Sequence, residues 1–370
     1  PATARREGTS VVMENSRVRA VIEPDGSIAS VTDLLRGREV LLTGAGGARL
    51  RAFEDVPNAF DAWDIERHHL NPGNELPVPE AESVEIVAVR GLRAEVRITR
   101  VLGASRLIQT ISLDADAPQL DFALEADWQE RETLLKMTFP LAVRAREHAA
   151  EVQFGHIRRP VHENTSWDYS RFEVPAGRWV LVDEPGYGIA VINDSNHGHS
   201  VTPLRTGTSG QGGIGTRVSL SLMRAPAFPD PRADRSHRTV RFSLLLDADP
   251  ENTTHAGEEL NLPPRLVEAP EARLATLDVP GAHVAAVLPA EDGSGDVIMR
   301  IYEGTGKPTS GMLRLAFDAT RVWEVDPLEE DLAADMWLPR VDVTTTREVP
   351  IALTAFTILT LRITPVGGES

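Results

Sequence analysis

The feature that most restricts this chain is a recurring alternation of apolar and polar residues with a period of two. Ala94, Val96 and Ile98 alternate with Glu95, Arg97 and Thr99. Val218, Leu220 and Leu222 alternate with Ser219 and Ser221, and Val240, Phe242, Leu244 and Leu246 with Arg241, Ser243 and Leu245. Successive side chains of a strand point to opposite faces, so this is the pattern of strands with one face buried and one solvated. Helical periodicity is weak; its best instance is the acidic stretch 327–337, read as two or three helical turns. The 28 glycines and 26 prolines are spread along the length and punctuate many short elements. Asp25-Gly26, between two alternating segments, reads as a tight hairpin turn. The fold class is therefore all-β, with sheets packed on sheets.

With 370 residues and 41% apolar content the chain can build a sizeable core and two domains. The stretch 256–272, with paired prolines and several acids, reads as a linker. It divides the chain into 1–260 and 261–370. Alternation resumes beyond it at Leu313, Leu315 and Phe317 and at Thr357, Leu359, Leu361 and Ile363, as a small β-sandwich requires. The net charge of -17, with no stripe of Lys and Arg, excludes a nucleic-acid surface and disfavours an anionic membrane. No apolar run approaches the roughly 20 residues that span a bilayer. The absence of cysteine excludes disulfides and thiolate metal sites and points to a reducing compartment, the cytoplasm. The first residues lack the apolar stretch of a signal peptide. Pro1 comes first and Met13 is the first methionine, as expected of a processed or truncated chain.

Three segments carry chemistry. The stretch 154–179 reads FGHIRRPVHENTSWDYSRFEVPAGRW. Its His, Asn, Asp and Arg side chains can orient donors and acceptors toward sugar hydroxyls, and its Trp offers a flat face to a sugar ring. The same residues can equally fix a long loop by satisfying buried backbone groups. A second loop, Asp61-Ala62-Trp63-Asp64, flanked by Asn58 and His68-His69, holds two acids around one Trp; a glycosidase carboxylate pair is one reading and an anchored turn the other. The third is 192–199, INDSNHGH. His197 and His199 would share a face on a strand, but Gly198 favours a turn, and no intrinsic metal site is expected. Asn164-Thr165-Ser166 and Asn252-Thr253-Thr254 match the glycosylation acceptor pattern without a secretion signal. The glycine-rich 207–215 lacks the Lys of a phosphate loop, and no Gly-x-Ser-x-Gly elbow is present.

In order, DAWD at 61–64, Asp127-Trp128-Gln129-Glu130, Leu134-Leu135-Lys136, Phe139-Pro140, RRPVHENTSWDYSRFEVPAGRW, Glu184 to Gly188, Ile192-Asn193-Asp194, LSLMRAP at 220–226, Pro229-Asp230-Pro231 with Asp234, Arg300-Ile301-Tyr302-Glu303 and the final strand 356–361 resemble the carboxyl-terminal region of glycoside hydrolase family 38 α-mannosidases. The resemblance covers essentially the whole chain. It implies a large β-supersandwich of the galactose-mutarotase type followed by a smaller β-sandwich. It also implies a parent enzyme that hydrolyses terminal α-mannosidic bonds of a mannose-containing glycan with retention. The nucleophile and a zinc ion would lie on an amino-terminal catalytic domain not matched here, so this chain holds no catalytic residue, no metal and no cofactor of its own. That domain would be its partner, and homo-oligomer formation is left open. By position, Trp63, Asp64, Asn193 and Asp194 are the expected substrate contacts. His162, Asn164, Trp167, Asp168 and Arg171 are expected as supports or as part of the interdomain seam. The chain departs from the family at Val161, at Gly177 and at Ser195-Asn196-His197-Gly198, which bears on linkage preference.

Two other functions compete with a supporting, non-catalytic half of an enzyme. An autonomous sugar-binding module would show affinity for monosaccharide by itself. A mutarotase-like isomerase would need a His and a carboxylate in one cleft, with His156, His162 and Glu173 as nominal members.

Overall fold

The computed structural model describes residues 1–89, 91–207, 213–264, 273–332 and 341–367. It is all-β, as the alternation requires, and every strand pairing described is antiparallel. The chain forms two compact units, one of Pro1–Glu151 with Ile157–Pro263, the other of Val152–His156 with Pro264–Ser370. No described helix is long and apolar enough to cross a membrane.

The first unit opens with a five-stranded meander. In it the strands Val18–Ile22 and Ile28–Asp33 meet through the Asp25-Gly26 turn, with Gly26 at φ 81°. A nine-stranded and a six-stranded sheet follow. The nine-stranded sheet is centred on Tyr187–Asn193, His237–Leu246, Gln119–Asp127 and Ser105–Asp114. The six-stranded sheet runs in the order Val174–Pro175, Gly198–Arg205, Ile214–Met223, Thr133–Leu141, Arg49–Glu54, Glu75–Leu76. One apolar core contains the alternating residues Val96, Ile98, Val218, Leu220, Val240, Phe242 and Leu244. At its centre Phe122 stacks on Phe242 with centroids 4.9 Å apart, and Phe139 meets both edge-on.

Leu245, on the opposite face of its strand from this core, is also buried. It packs with Trp179, Leu181, Ala190, Ile192 and Ala256 beneath the helix Pro250–Asn261. This corrects the linker reading of 256–272: residues 256–261 are helical, and 265–272 lie outside the described residues. The local signal was present. Asp249 caps the helix by accepting from the amides of Glu251 and Asn252, and Pro250 occupies the first turn.

At Gly215 a Cβ would lie 2.1 Å from the carbonyl oxygen of Leu141 on the neighbouring strand. Gly215→Ala is therefore expected to force two central strands apart. The cost is about 3 kcal/mol, near the upper end for overpacking. A chemical-denaturation midpoint equal to that of the wild type would show that the strands yield freely.

In the second unit the long strand Thr309–Val325 is interrupted between Arg314 and Ala319. Its first part pairs with Ala275–Asp278 and its second with Ile358–Pro365, while Asp342–Leu353 runs beside both. Such a break lets one strand serve two layers. The layers enclose Leu313, Val322, Val349, Ile351, Leu359 and Leu361, a small β-sandwich. The expected helix at 327–337 is not formed in its described part. Asp326 instead accepts from the amides of Leu328 and Glu330, Glu329 takes a left-handed conformation, and Asp331 makes an isolated bridge to Val325. Residues 333–340 lie outside the described residues.

Candidate functional site

Strand register gathers the sequence-predicted segments at one end of the six-stranded sheet. Thr133 pairs with Glu54, Leu135 with Met223, Leu220 with His199, and His199 with Val174. The connections leaving these strand ends, 55–74, 161–173, 194–197 and 224–236, therefore emerge along one rim. Phe60, Trp63, Trp167, Tyr169 and Phe228 lie in them, each more than half exposed. Large aromatic side chains left in water on adjoining loops mark a surface meant for contact.

The loops are tied to one another by charged side chains. Arg224 donates from Nε to Asp55 Oδ2 at 2.6 Å and from Nη2 to the carbonyls of Asp61 and Asp64. Asp61 Oδ2 accepts from the amides of Ala227 and Phe228 at 2.7 and 2.9 Å. Phe60 takes φ 56° and its carbonyl accepts from the amides of Trp63 and Asp64, which turns the loop back on itself. Trp63 and Asp64 are thus left exposed at the tip. Asp61, the other acid of the pair, is committed to backbone amides, which leaves no free carboxylate pair there.

Arg67 joins this loop to the next. It donates to the Tyr169 carbonyl and to Glu163 Oε2, both at 2.8 Å, and lies over the Tyr169 ring at 3.7 Å. Thr165 and Asp168 form a reciprocal cap on the single turn Ser166–Tyr169, which presents Trp167 to solvent. The hydrogen bond from Thr165, and then His162 at 3.5 Å and Arg171 at 3.4 Å, hold the Asp168 carboxyl below its usual range. Asn164 is exposed beside them. His162, Asp168 and Arg171 are thereby braces of the Trp167 turn.

Asn193 and Asp194 reach the same rim with their polar atoms already used. Asn193 is buried, donates to the Gly177 carbonyl and accepts from the Asn196 amide. Asp194 pairs with Arg241 Nε at 2.9 Å and accepts from Ser195 Oγ. Asn196 closes the loop onto the Ser221 and Leu222 carbonyls.

Below the rim lies a buried ion pair. Lys136 Nζ donates to Glu173 Oε2 and to Ser200 Oγ, and Glu173 Oε1 accepts from Ser221 Oγ. Glu173 is therefore engaged structurally. Of the nominal isomerase group, His156 bonds the Gly304 carbonyl, His162 lies against Asp168, and Glu173 is held by Lys136 and Ser221. His197 meets the Ala176 carbonyl, whereas His199 faces His148 in the core. Buried His69 sits edge-on to Phe53, and burial pushes its pKa down. Sequence reasoning missed Phe60, Arg67, Tyr169, Arg224 and Phe228. Their signal is aromatic and Arg residues in segments without strand alternation.

Residues 13–232 match the family model of the glycosyl hydrolases family 38 C-terminal domain, and 281–361 that of the family's C-terminal beta sandwich domain. Alpha-mannosidase 2C1 of Homo sapiens is 32% identical over 335 residues, covering 86% of this chain and 31% of the relative. Alpha-mannosidase G of Dictyostelium discoideum is 30% identical over 344 residues, covering 86% and 30%. The chain thus spans about a third of the length of the curated relatives it matches. The fold is similar to the crystal structure of an alpha-mannosidase from Enterococcus faecalis V583, with a TM-score of 0.71 at 17% identity, over 97% of this chain and 42% of that one. The chain belongs to glycoside hydrolase family 38, of which it is the C-terminal region.

Proposed function

We propose that this chain supports and closes the active site of a retaining α-mannosidase, the nucleophile and zinc lying elsewhere in the full-length protein. The observation that carries this reading is the aromatic rim. Phe60, Trp63, Trp167, Tyr169 and Phe228 are gathered on linked loops at one end of a rigid sheet. Trp63 offers its face to the C–H side of a terminal mannose, and Asp64 accepts from sugar hydroxyls. Asn193, Asp194, Arg224 and Asp168 hold these loops in place, and the apolar rim excludes water from the bound sugar. The rim's own donors do not fit a zinc ion: His68 meets Glu66 and the Val56 carbonyl, His162 meets Asp168, and Asp61 serves amides.

In the full-length protein, Trp63→Ala is expected to lower kcat/KM on an aryl α-mannoside about 30-fold, as for loss of a contact worth about 2 kcal/mol. The exposed position of Trp63 predicts an unchanged thermal midpoint. An unaltered kcat/KM would remove the rim from the active site. The chain alone is expected to be silent on that substrate with added zinc; turnover by it would mean a complete site within these residues. The same exposed tryptophans favour a second reading, a module that binds sugar unaided, for which calorimetric titration of this chain with mannose is the test.

A further inference from the structure

The strand Thr133–Leu141 is buried along its whole length, yet only one of its faces is consistently apolar. Leu135, Met137, Phe139 and Leu141 point into the core, while Lys136 and Thr138 lie on the other face. Strand register sets their neighbours. Arg51 lies opposite Lys136, Arg49 opposite Thr138, Ser219 opposite Thr138, and Arg217 opposite both Pro140 and Thr202. Three guanidinium groups thus share one sheet face over hydroxyl-bearing side chains, with Thr138 Oγ1 and Ser219 Oγ 3.0 Å apart. Glu75 answers Arg51 through two hydrogen bonds of 2.8 and 2.7 Å. Among the described residues no carboxylate pairs with Arg49 or Arg217. Burial, then the neighbouring Arg51, push the Arg217 pKa below its usual value. Among the described residues Glu75 is the one carboxylate that faces all three guanidinium groups, so this face keeps an excess of positive charge in a chain of net charge -17, with Arg51 and Arg217 partly buried and Arg49 exposed. Arg49 and Arg51, with Arg100, also line a cavity of about 460 Å³, room enough for a phosphate ester; Asp25, Glu75 and Glu80 line it too, and Arg217 stands outside it.

We infer that this face is an oxyanion-binding site, in which Arg49, Arg51 and Arg217 receive a phosphate or sulfate group and the sheet hydroxyls donate to its remaining oxygens. Guanidinium forks match tetrahedral oxyanions geometrically, and charge-assisted bonds of this kind are the strong ones. The site is separate from the aromatic rim and does not depend on the function proposed for it.

The test measures the thermal midpoint of the full-length protein against increasing inorganic phosphate, and separately hexose 6-phosphate, with chloride at matched ionic strength as the reference. A ligand that binds only the folded state raises the midpoint in a saturable way. Arg217→Gln relieves repulsion between like charges, so in chloride the variant is expected to be at least as stable as the wild type. In phosphate it is expected to need roughly tenfold more ligand for the same rise. Protection by hexose 6-phosphate at lower concentration than phosphate would identify a sugar ester as the ligand; equal protection would identify the free oxyanion. An equal, non-saturating rise in wild type and variant would show general salt stabilisation and overturn the inference. So would the absence of any rise over chloride.

Discussion

Lowering the pH from 6.5 to 4 is expected to cost the first unit several kcal/mol of stability, through two histidines with no part in the rim. His148 and His199 are buried, with ring centroids 5.9 Å apart. Neither nitrogen of His148 nor Nε2 of His199 has a described hydrogen-bond partner. Burial, then the charges of Arg159 and Arg158, push His148 down to about 4. Burial, then His148, push His199 well below its ordinary value. In the unfolded chain both titrate near 6.5. Below that pH the unfolded state binds protons that the folded state refuses, so stability is full above 6.5 and falls as pH drops. The slope approaches about 1.4 kcal/mol per pH unit for each histidine, or about 3 kcal/mol from His148 by pH 4. Carboxylates join in below about pH 5, so the comparison is made between pH 7 and 5. There the urea midpoint of the wild type should decline, and that of His148→Leu should decline less steeply, the remaining fall coming from His199 and His69. Parallel curves for the two proteins would mean that His148 is protonated in the folded state.

Lys136→Met is expected to destabilise the first unit by about 3–5 kcal/mol, because it leaves the buried Glu173 carboxylate without its cation. The side chains of Lys136 and Glu173 are only 2% and 7% exposed. Water therefore cannot take the place of the missing partner, as it does at the exposed pair Arg314–Asp278. The double variant Lys136→Met with Glu173→Leu should recover most of the loss, since a buried pair replaced by apolar groups of similar size is often near neutral. A double-mutant cycle by chemical denaturation measures this. If the two single losses simply add, the pair is not coupled and the proposed cause is wrong. Glu173 also accepts from Ser221 and is the last residue of the 161–173 segment. Its loss should loosen the Trp167 turn, and activity of the full-length protein should fall alongside stability.

The amino-acid sequence alone determined the class of this protein. Alternation is a local property, set by the pleat of a strand, so Val96, Ile98, Phe242 and Leu244 could be assigned to a buried face without knowledge of their partners. The Asp25-Gly26 turn was legible for the same reason, and so were the blocks around NTSWD and PDP that resemble family 38. Elements whose reading depended on competition between local signals came out otherwise. Asp249-Pro250 starts a helix in what read as a linker, and Asp326 draws an acidic stretch into a turn. Only the tertiary structure decided which polar residues stay free. Asn193 and Asp194 carry the same chemistry as Asp64. Distant partners at Gly177 and Arg241, with the nearby Asn196 amide, consume their hydrogen-bonding capacity, while Phe60 folds its loop so that Trp63 and Asp64 remain in water. The gathering of four distant segments on one rim, and of Arg49, Arg51 and Arg217 on one sheet face, follows from strand register. Register joins residues more than 100 positions apart, and no local pattern encodes it.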